Sequence, residues 1–148
     1  MRVGLNGKLF GYLKFRTMRV EATELSTGPV FQLDSDPRIT RLGVFLRRTS
    51  IDELPALFNV ISGDMSIVGP RAALPLEVEH YSEKQRKRLE LKPGLTGYWQ
   101  VFGREKEKFT FDEMIAMDLE YLDKHSLLLD LKILACTVVM ALRSRSAY

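Results

Sequence analysis

Glycine and proline cut this chain into short pieces, and their placement restricts it to a fold of brief elements. Asn6-Gly7, Gly28-Pro29, Pro37, Pro55, Gly63, Gly69-Pro70, Pro93-Gly94 and Gly103 each mark a place where the backbone turns or a hydrogen-bond donor is missing. Asn6-Gly7 tolerates φ > 0 at both centres of a two-residue hairpin turn. Residues 2–5 and 8–10 are therefore expected as paired strands, with extended chain continuing toward Lys14-Phe15-Arg16. Residues 21–37 are polar and carry Gly28, Pro29 and Pro37, the composition of an irregular loop. Ser35-Asp36-Pro37 closes it with a turn or a helix start.

Apolar spacing supplies the helices. Over residues 38–48, Ile39, Leu42, Phe45 and Leu46 fall at core-facing positions. A second helix is expected over 52–61, ended by Gly63. A short apolar run, 65–68, then leads into a turn at Gly69-Pro70-Arg71. Residues 76–91 read as a charged helix stopped by Pro93-Gly94. Residues 95–102, with Tyr98, Trp99 and Val101, read as a strand broken at Gly103-Arg104. Thr110 and Glu113 form a capping box, each satisfying a free N–H of the other's turn. The helix they open carries Phe111, Met114, Ile115, Leu119 and Leu122 as one stripe. A final helix, 127–143, is apolar almost all round, which calls for burial or for lipid. The expected fold class is α/β (α+β): a mostly helical single domain over 1–148, with an N-terminal β-hairpin and a few short strands.

Composition narrows the function classes. A chain of 148 residues buries a real core without staples. The single cysteine, Cys136, excludes an internal disulfide and fits a reducing compartment. His80 and His125 have no zinc-ligand spacing. The apolar run 133–142 is about half the roughly 20 residues a spanning helix needs, so the chain alone is not expected to cross a bilayer, and lying against one stays open. The formal charge of +3 is mild but clustered at Lys84, Arg86, Lys87 and Arg88, at Arg47 and Arg48, and at Arg143 and Arg145. Such clusters are either solvated helix faces or contacts for phosphate and anionic lipid. Nucleic acid is disfavoured as a partner, because Glu77, Glu79, Glu83 and Glu90 interrupt the largest cluster.

Asp52-Glu53 is the candidate chemical centre. Adjacent helical residues point about 100° apart, so the two carboxylates do not share a proton but serve separate tasks. Two registers are open. In one, Ser50 caps the helix and Glu53 reaches back; Pro55 then removes a needed hydrogen bond. In the other, Asp52 is the cap, Pro55 falls in the first turn and Glu53 is free. An ionised Asp can attack phosphorus to give an acyl phosphate, and a neighbouring Glu can hold Mg²⁺ against phosphate oxygens. Arginines nearby, Arg47 above all, are suited to clamping phosphate.

These residues lie within a larger pattern. Lys14-Phe15-Arg16-Thr17-Met18 is one motif. Asp36-Pro37-Arg38-Ile39-Thr40 through Asp52-Glu53-Leu54-Pro55 is a second, continued by Asn59-Val60 and by Gly63-Asp64-Met65-Ser66-Ile67-Val68-Gly69-Pro70-Arg71. Lys92-Pro93-Gly94-Leu95-Thr96-Gly97, with Trp99-Gln100-Val101 and Gly103-Arg104, is a third. In order and over nearly the whole chain, they resemble the bacterial sugar transferases, the monotopic polyprenol-phosphate phosphoglycosyl transferases. The Trp99-Gln100 variant is more similar to the larger exopolysaccharide and O-antigen initiating enzymes.

The resemblance implies a ping-pong reaction at the cytoplasmic face of the bacterial inner membrane. The Asp matching Asp52 attacks the β-phosphate of a nucleotide diphosphate sugar, usually a UDP-sugar, and releases UMP. Polyprenol phosphate then takes the sugar-phosphate. Glu53 matches the residue implicated in Mg²⁺ binding. Arg47 and Arg71 match arginines near the phosphates; Lys14, Arg16 and Arg104 match further basic positions. Two departures stand out. Ala72 replaces the usual proline after Gly-Pro-Arg. The sequence also begins at Met1 without the re-entrant membrane helix that precedes this region in the family. That second departure supports an alternative expectation, an inactive or truncated module that binds nucleotide-sugar or a partner enzyme.

Overall fold

The computed structural model describes residues 1–19, 38–103 and 110–142. The expected loop over 21–37, Arg104, and the Arg143 and Arg145 end of the last helix lie outside the described residues.

Strand β1 (Arg2–Val3) pairs antiparallel with β2 (Leu9–Phe10), shorter than expected from the sequence. Asn6 and Gly7 take φ of 53° and 82°, and the Lys8 N–H donates to the Leu5 carbonyl at 3.1 Å, as the Asn-Gly pair requires. The chain then runs without regular secondary structure until Met18, which bridges Ile39. Helix α1 (Arg41–Arg48) follows, capped by Thr40, whose hydroxyl accepts from the Gly43 N–H at 2.9 Å. One turn of 3-10 helix (Ile51–Glu53) separates it from α2 (Ala56–Ile61), and Gly63, at φ 83°, ends α2.

Strand β3 (Ser66–Val68) lies parallel to β4 (Gly94–Thr96). A Cβ on Gly94 would sit 2.1 Å from the Gly69 nitrogen, and one on Gly97 2.3 Å from the Gly69 oxygen. Only hydrogen at these positions lets the Gly69-Pro70-Arg71 turn press onto β4. Between the strands come α3 (Pro75–Glu79), α4 (Glu83–Arg86) and a 3-10 turn (Lys87–Glu90); after β4 come α5 (Tyr98–Phe102), α6 (Phe111–Lys124) and α7 (Leu127–Leu142). Three apolar clusters tie these together. Val3, Ala73, Tyr81, Met114 and Ile115 join the hairpin to α6. Phe10, Ala56, Met65 and Ala72 join it to α2. Val68, Tyr121 and Ile133 join β3 to α6 and α7.

Four expectations need correction. Helix α1 buries Gly43 and Arg47 and leaves Leu42 and Phe45 exposed, so the stripe assigned to the core faces outward. The cause is backbone contact: a Cβ on Gly43 would fall 2.1 Å from the Thr17 carbonyl, and that close approach fixes which face turns in. The helix expected over 52–61 is a 3-10 turn followed by a short α-helix, with Pro55 just before α2, where its missing N–H costs nothing. The helix expected over 76–91 breaks at residues 80–82, where Ser82 and Gln85 form a second capping box. The strand expected over 95–102 is strand only through Thr96; Tyr98–Phe102 is helical, stacking Tyr98 on Phe102 with ring centres 4.9 Å apart. Burial against α7 overrides the strand preference of those residues.

The basic cluster at 84–88 also divides. Lys84, Arg86 and Lys87 are exposed, whereas Arg88 is buried and ion-paired with Asp118 of α6. Burial pushes the Asp118 carboxyl up to about 6 from its ordinary 3.8, against the opposing pull of the Arg88 charge. A carboxyl that holds its proton more tightly when folded favours the fold below about pH 4, and that advantage is lost as pH rises to about 6. Asp118→Asn cannot titrate. The parent's thermal midpoint should therefore fall relative to that of the variant across this window, as followed by scanning calorimetry.

Candidate active site

The segment leading to Lys14 is fixed by side chains from α2 and by the 3-10 turn. Asn59 of α2, buried, donates from Nδ2 to the Gly11 carbonyl at 2.8 Å and accepts from the Leu13 N–H at 2.9 Å. Two residues on, the Phe15 N–H donates to the Asp52 carbonyl at 2.9 Å. These contacts bracket Lys14 and aim it across the turn. Its Nζ stands 2.8 Å from Asp52 Oδ2 and 3.2 Å from Glu53 Oε1.

Asp52 is 1% exposed, and its Oδ2 closes no aligned hydrogen bond among the described residues, so Lys14 meets it as an ion contact. Neither expected capping register is realised. Ser50 has φ 56°, makes no side-chain cap, and turns the chain so that Asp52 points inward. A left-handed serine is uncommon and costs on the order of 1 kcal/mol, held here by the packing on either side. Glu53 is one-third exposed and stands at the edge of the site.

Arg47 is buried behind this pair, with its Nε donating to the Thr17 hydroxyl at 2.8 Å. It braces the segment after Lys14. Arg16 is exposed. Arg71 follows the glycine turn and pairs through Nη1 with Glu77 at 3.2 Å. Glu77 in turn accepts from the Leu74 N–H at 2.8 Å, so the acidic partner is itself held. The structure thus brings Lys14, Asp52 and Glu53 into contact, sets Arg47 and Arg71 on separate supports, and leaves Arg104 undescribed.

Two residues that the sequence reading passed over join the site. Arg2 lies over the Tyr12 ring at 5.9 Å and donates to the Ala72 carbonyl at 3.3 Å, beside Arg71. Burial and then the like charge of Arg71 lower its pKa, while Glu77, Tyr12 and Glu53 oppose that shift. Burial and the Glu53 charge push the Tyr12 phenol up to about 12, so it stays protonated and able to donate. No short motif marks either residue; the hairpin carries both to the site. A cleft of about 620 Å³ lies elsewhere, beside the hairpin, lined by Val3, Leu9, Pro75, Val78 and Leu89 among others. None of the expected site residues line it.

The arrangement holds two carboxylates and a lysine in mutual contact, with two arginines nearby that carry more positive charge than Glu77 cancels. Such a site suits a phosphate-bearing substrate. Lys14→Met keeps the side-chain stem but leaves the buried Asp52 carboxylate without the ammonium beside it. Urea unfolding should show a loss of about 1–3 kcal/mol, and a smaller one for Asp52→Asn, which removes the charge that needs the partner.

Comparison with known proteins gives the family. The family model described as bacterial sugar transferase matches residues 1–144. The galactosyl transferase CpsE of Streptococcus agalactiae is 44% identical over 99% of this chain and 34% of its own length. The undecaprenyl-phosphate galactose phosphotransferase of Salmonella typhimurium is 42% identical, over 99% of this chain and 33% of its own. The UDP-glucose:undecaprenyl-phosphate glucose-1-phosphate transferase of Xanthomonas campestris is 43% identical, over 99% and 31%. The chain spans about a third of the length of these relatives.

Proposed function

The chain belongs to the bacterial sugar transferase family, and from that premise we propose that it moves a sugar-1-phosphate from a UDP-sugar to polyprenol phosphate, initiating glycan assembly on a lipid carrier. The observation that carries the reading is the buried Asp52 carboxylate, held by Lys14 and flanked by Glu53, within a family whose relatives are named for phosphotransfer to undecaprenyl phosphate.

In this reading Asp52 Oδ attacks the β-phosphorus of the donor. The bond from that phosphorus to the bridging oxygen breaks, UMP leaves with the electron pair, and the sugar-phosphate stays on Asp52 as an acyl phosphate. A phosphate oxygen of polyprenol phosphate then attacks the same phosphorus and returns the carboxylate. Lys14 covers Asp52 at rest, so a donor phosphate draws the ammonium aside as it enters and becomes its counter-ion. Arg71, one-third exposed and beside Arg2, receives the remaining phosphate charge. Burial keeps water from Asp52 and so protects the acyl phosphate between the half-reactions.

Mg²⁺ fits the donor set. Among the described residues no three acidic, histidine or cysteine side chains converge on one cation position. Glu53 offers a hard, partly exposed carboxylate, and Mg²⁺ is commonly held by one or two carboxylates with substrate phosphates completing its shell. When bound, the ion neutralises charge on the phosphates.

The outward apolar faces supply the membrane contact. Leu42 and Phe45 of α1 precede Asp52, and Leu54, Leu57, Phe58 and Ile61 follow it, with Phe58 67% and Ile61 81% exposed. Among the described side chains of α7 only Ile133 is fully buried, while Leu127, Leu128, Leu131, Val138 and Val139 are exposed. Among the described residues no helix is long and apolar enough to cross a membrane. Apolar surface of this extent beside a site for a lipid phosphate fits a bilayer interface, at the cytoplasmic face of the inner membrane.

Incubation with UDP-galactose or UDP-glucose, Mg²⁺, detergent and polyprenol phosphate should release UMP. Without the acceptor, mass spectrometry should find a sugar-phosphate on Asp52. Asp52→Asn and chelation should each abolish release; no release from the parent sinks the transferase reading in favour of a binding module. Phe58→Glu with Ile61→Glu should weaken binding to phosphatidylglycerol vesicles roughly 10-fold or more, measured by co-sedimentation.

A further inference from the structure

Arg88 takes no part in the reaction as drawn, yet its side chain is 1% exposed. A buried guanidinium is costly unless acceptors surround it. Here they do. Nη1 donates to the Tyr81 hydroxyl at 2.6 Å, and Nη2 donates to the Asp118 carboxylate and, at 3.0 Å, to the carbonyl of Arg71. The cation of a buried ion pair thus sits directly on the main-chain carbonyl of Arg71.

The opposite side of the turn is equally fixed. The Gly69 N–H donates to the Thr96 carbonyl at 3.0 Å, the Gly94 N–H donates to the Pro70 carbonyl at 2.8 Å, and Arg71 forms a bridge with Gly94. Between β4 and the ion pair, the Arg71 backbone has one place to be. Its side chain leaves that place toward Glu77 and the surface.

We infer that the Arg88–Asp118 pair positions the catalytic turn: it holds the main chain of Arg71 so that the guanidinium meets the donor's diphosphate, and Tyr81 holds Arg88 in the rotamer that does this. The inference rests on the reading of Arg71 as a phosphate-binding residue. Lysine cannot replace Arg88, because one ammonium on a flexible stem does not present the planar fork that reaches these acceptors together.

The test is a double-substitution cycle in the full chain, with UMP release from UDP-galactose as the activity and the thermal midpoint beside it. Arg88→Lys should lower kcat/KM by roughly 10- to 100-fold, the scale of a small misplacement of a substrate-holding group. Arg71→Ala should lower it at least as far. The double variant should be no worse than Arg71→Ala alone, since Arg88 then has no guanidinium to place. If Arg88→Lys lowers activity equally with and without Arg71, the pair acts only on stability and the inference is overturned. Full activity in Arg88→Lys overturns it as well. Where Arg88→Lys does not fold, Tyr81→Phe removes one hydrogen bond; a loss of roughly 2- to 5-fold that disappears in the Arg71→Ala background is then expected. An active parent in which Arg71→Ala has no effect overturns the role of Arg71. A parent with neither UMP release nor an adduct on Asp52 overturns the proposed function, and the inference with it.

Discussion

A carboxylate almost wholly removed from solvent stands 2.8 Å from a lysine ammonium, and much of the surrounding chain serves to keep those two groups together. Asp52 is driven inward by a left-handed Ser50, and Lys14 comes from a segment that forms no sheet of its own. That segment is sewn to the rest at successive residues. Asn59 grips Gly11 and Leu13, the Asp52 carbonyl takes the Phe15 N–H, Arg47 takes the Thr17 hydroxyl, and Thr40 takes the Thr17 carbonyl. All but the Arg47 contact supply a main-chain group with the partner a strand would have given it. An unpaired carboxylate so deeply placed would be strongly destabilising, so the burial of Asp52 and the tethering of Lys14 depend on one another.

The same economy of backbone contact shapes the second half of the site. Three glycines, at 69, 94 and 97, bring the turn before Arg71 against β4 at distances no side chain would tolerate. The Arg88–Asp118 pair closes on that turn from the helical side. Arg2 and Arg71 then lie close enough to repel, with Glu77 and Glu53 opposing their charge. Like-charged arginines in proximity gain most when an anion comes between them, so a phosphate group would lower the energy of this arrangement.

What was legible in the sequence follows from local rules. The Asn6-Gly7 turn, the Thr110-Glu113 cap and the stop at Gly63 each depend on one or two residues and their own backbone, and each is present. The Lys14, Asp52 and Glu53 cluster was reachable through the ordered motifs alone. The orientation of α1 was not. Its apolar residues predict a core face, but Gly43 allows the Thr17 backbone so close that Leu42 and Phe45 turn outward. The aromatics of helix α5 satisfy a strand rule locally, while their burial partners lie on α6 and α7. Arg88 looked like one more surface cation because its partner, Asp118, is 30 residues away on α6.

By itself the sequence determined the family and the local turns and caps, since those rest on residue type, short spacing and backbone preference. The tertiary structure decided which faces turn inward, which cations are buried, and that Arg2 and Tyr12 stand beside Glu53. Those outcomes depend on close approach between segments far apart in the chain. An approach of two backbones so close that a Cβ on Gly43 or Gly94 would collide is set by the packing of both, and by no rule acting within either.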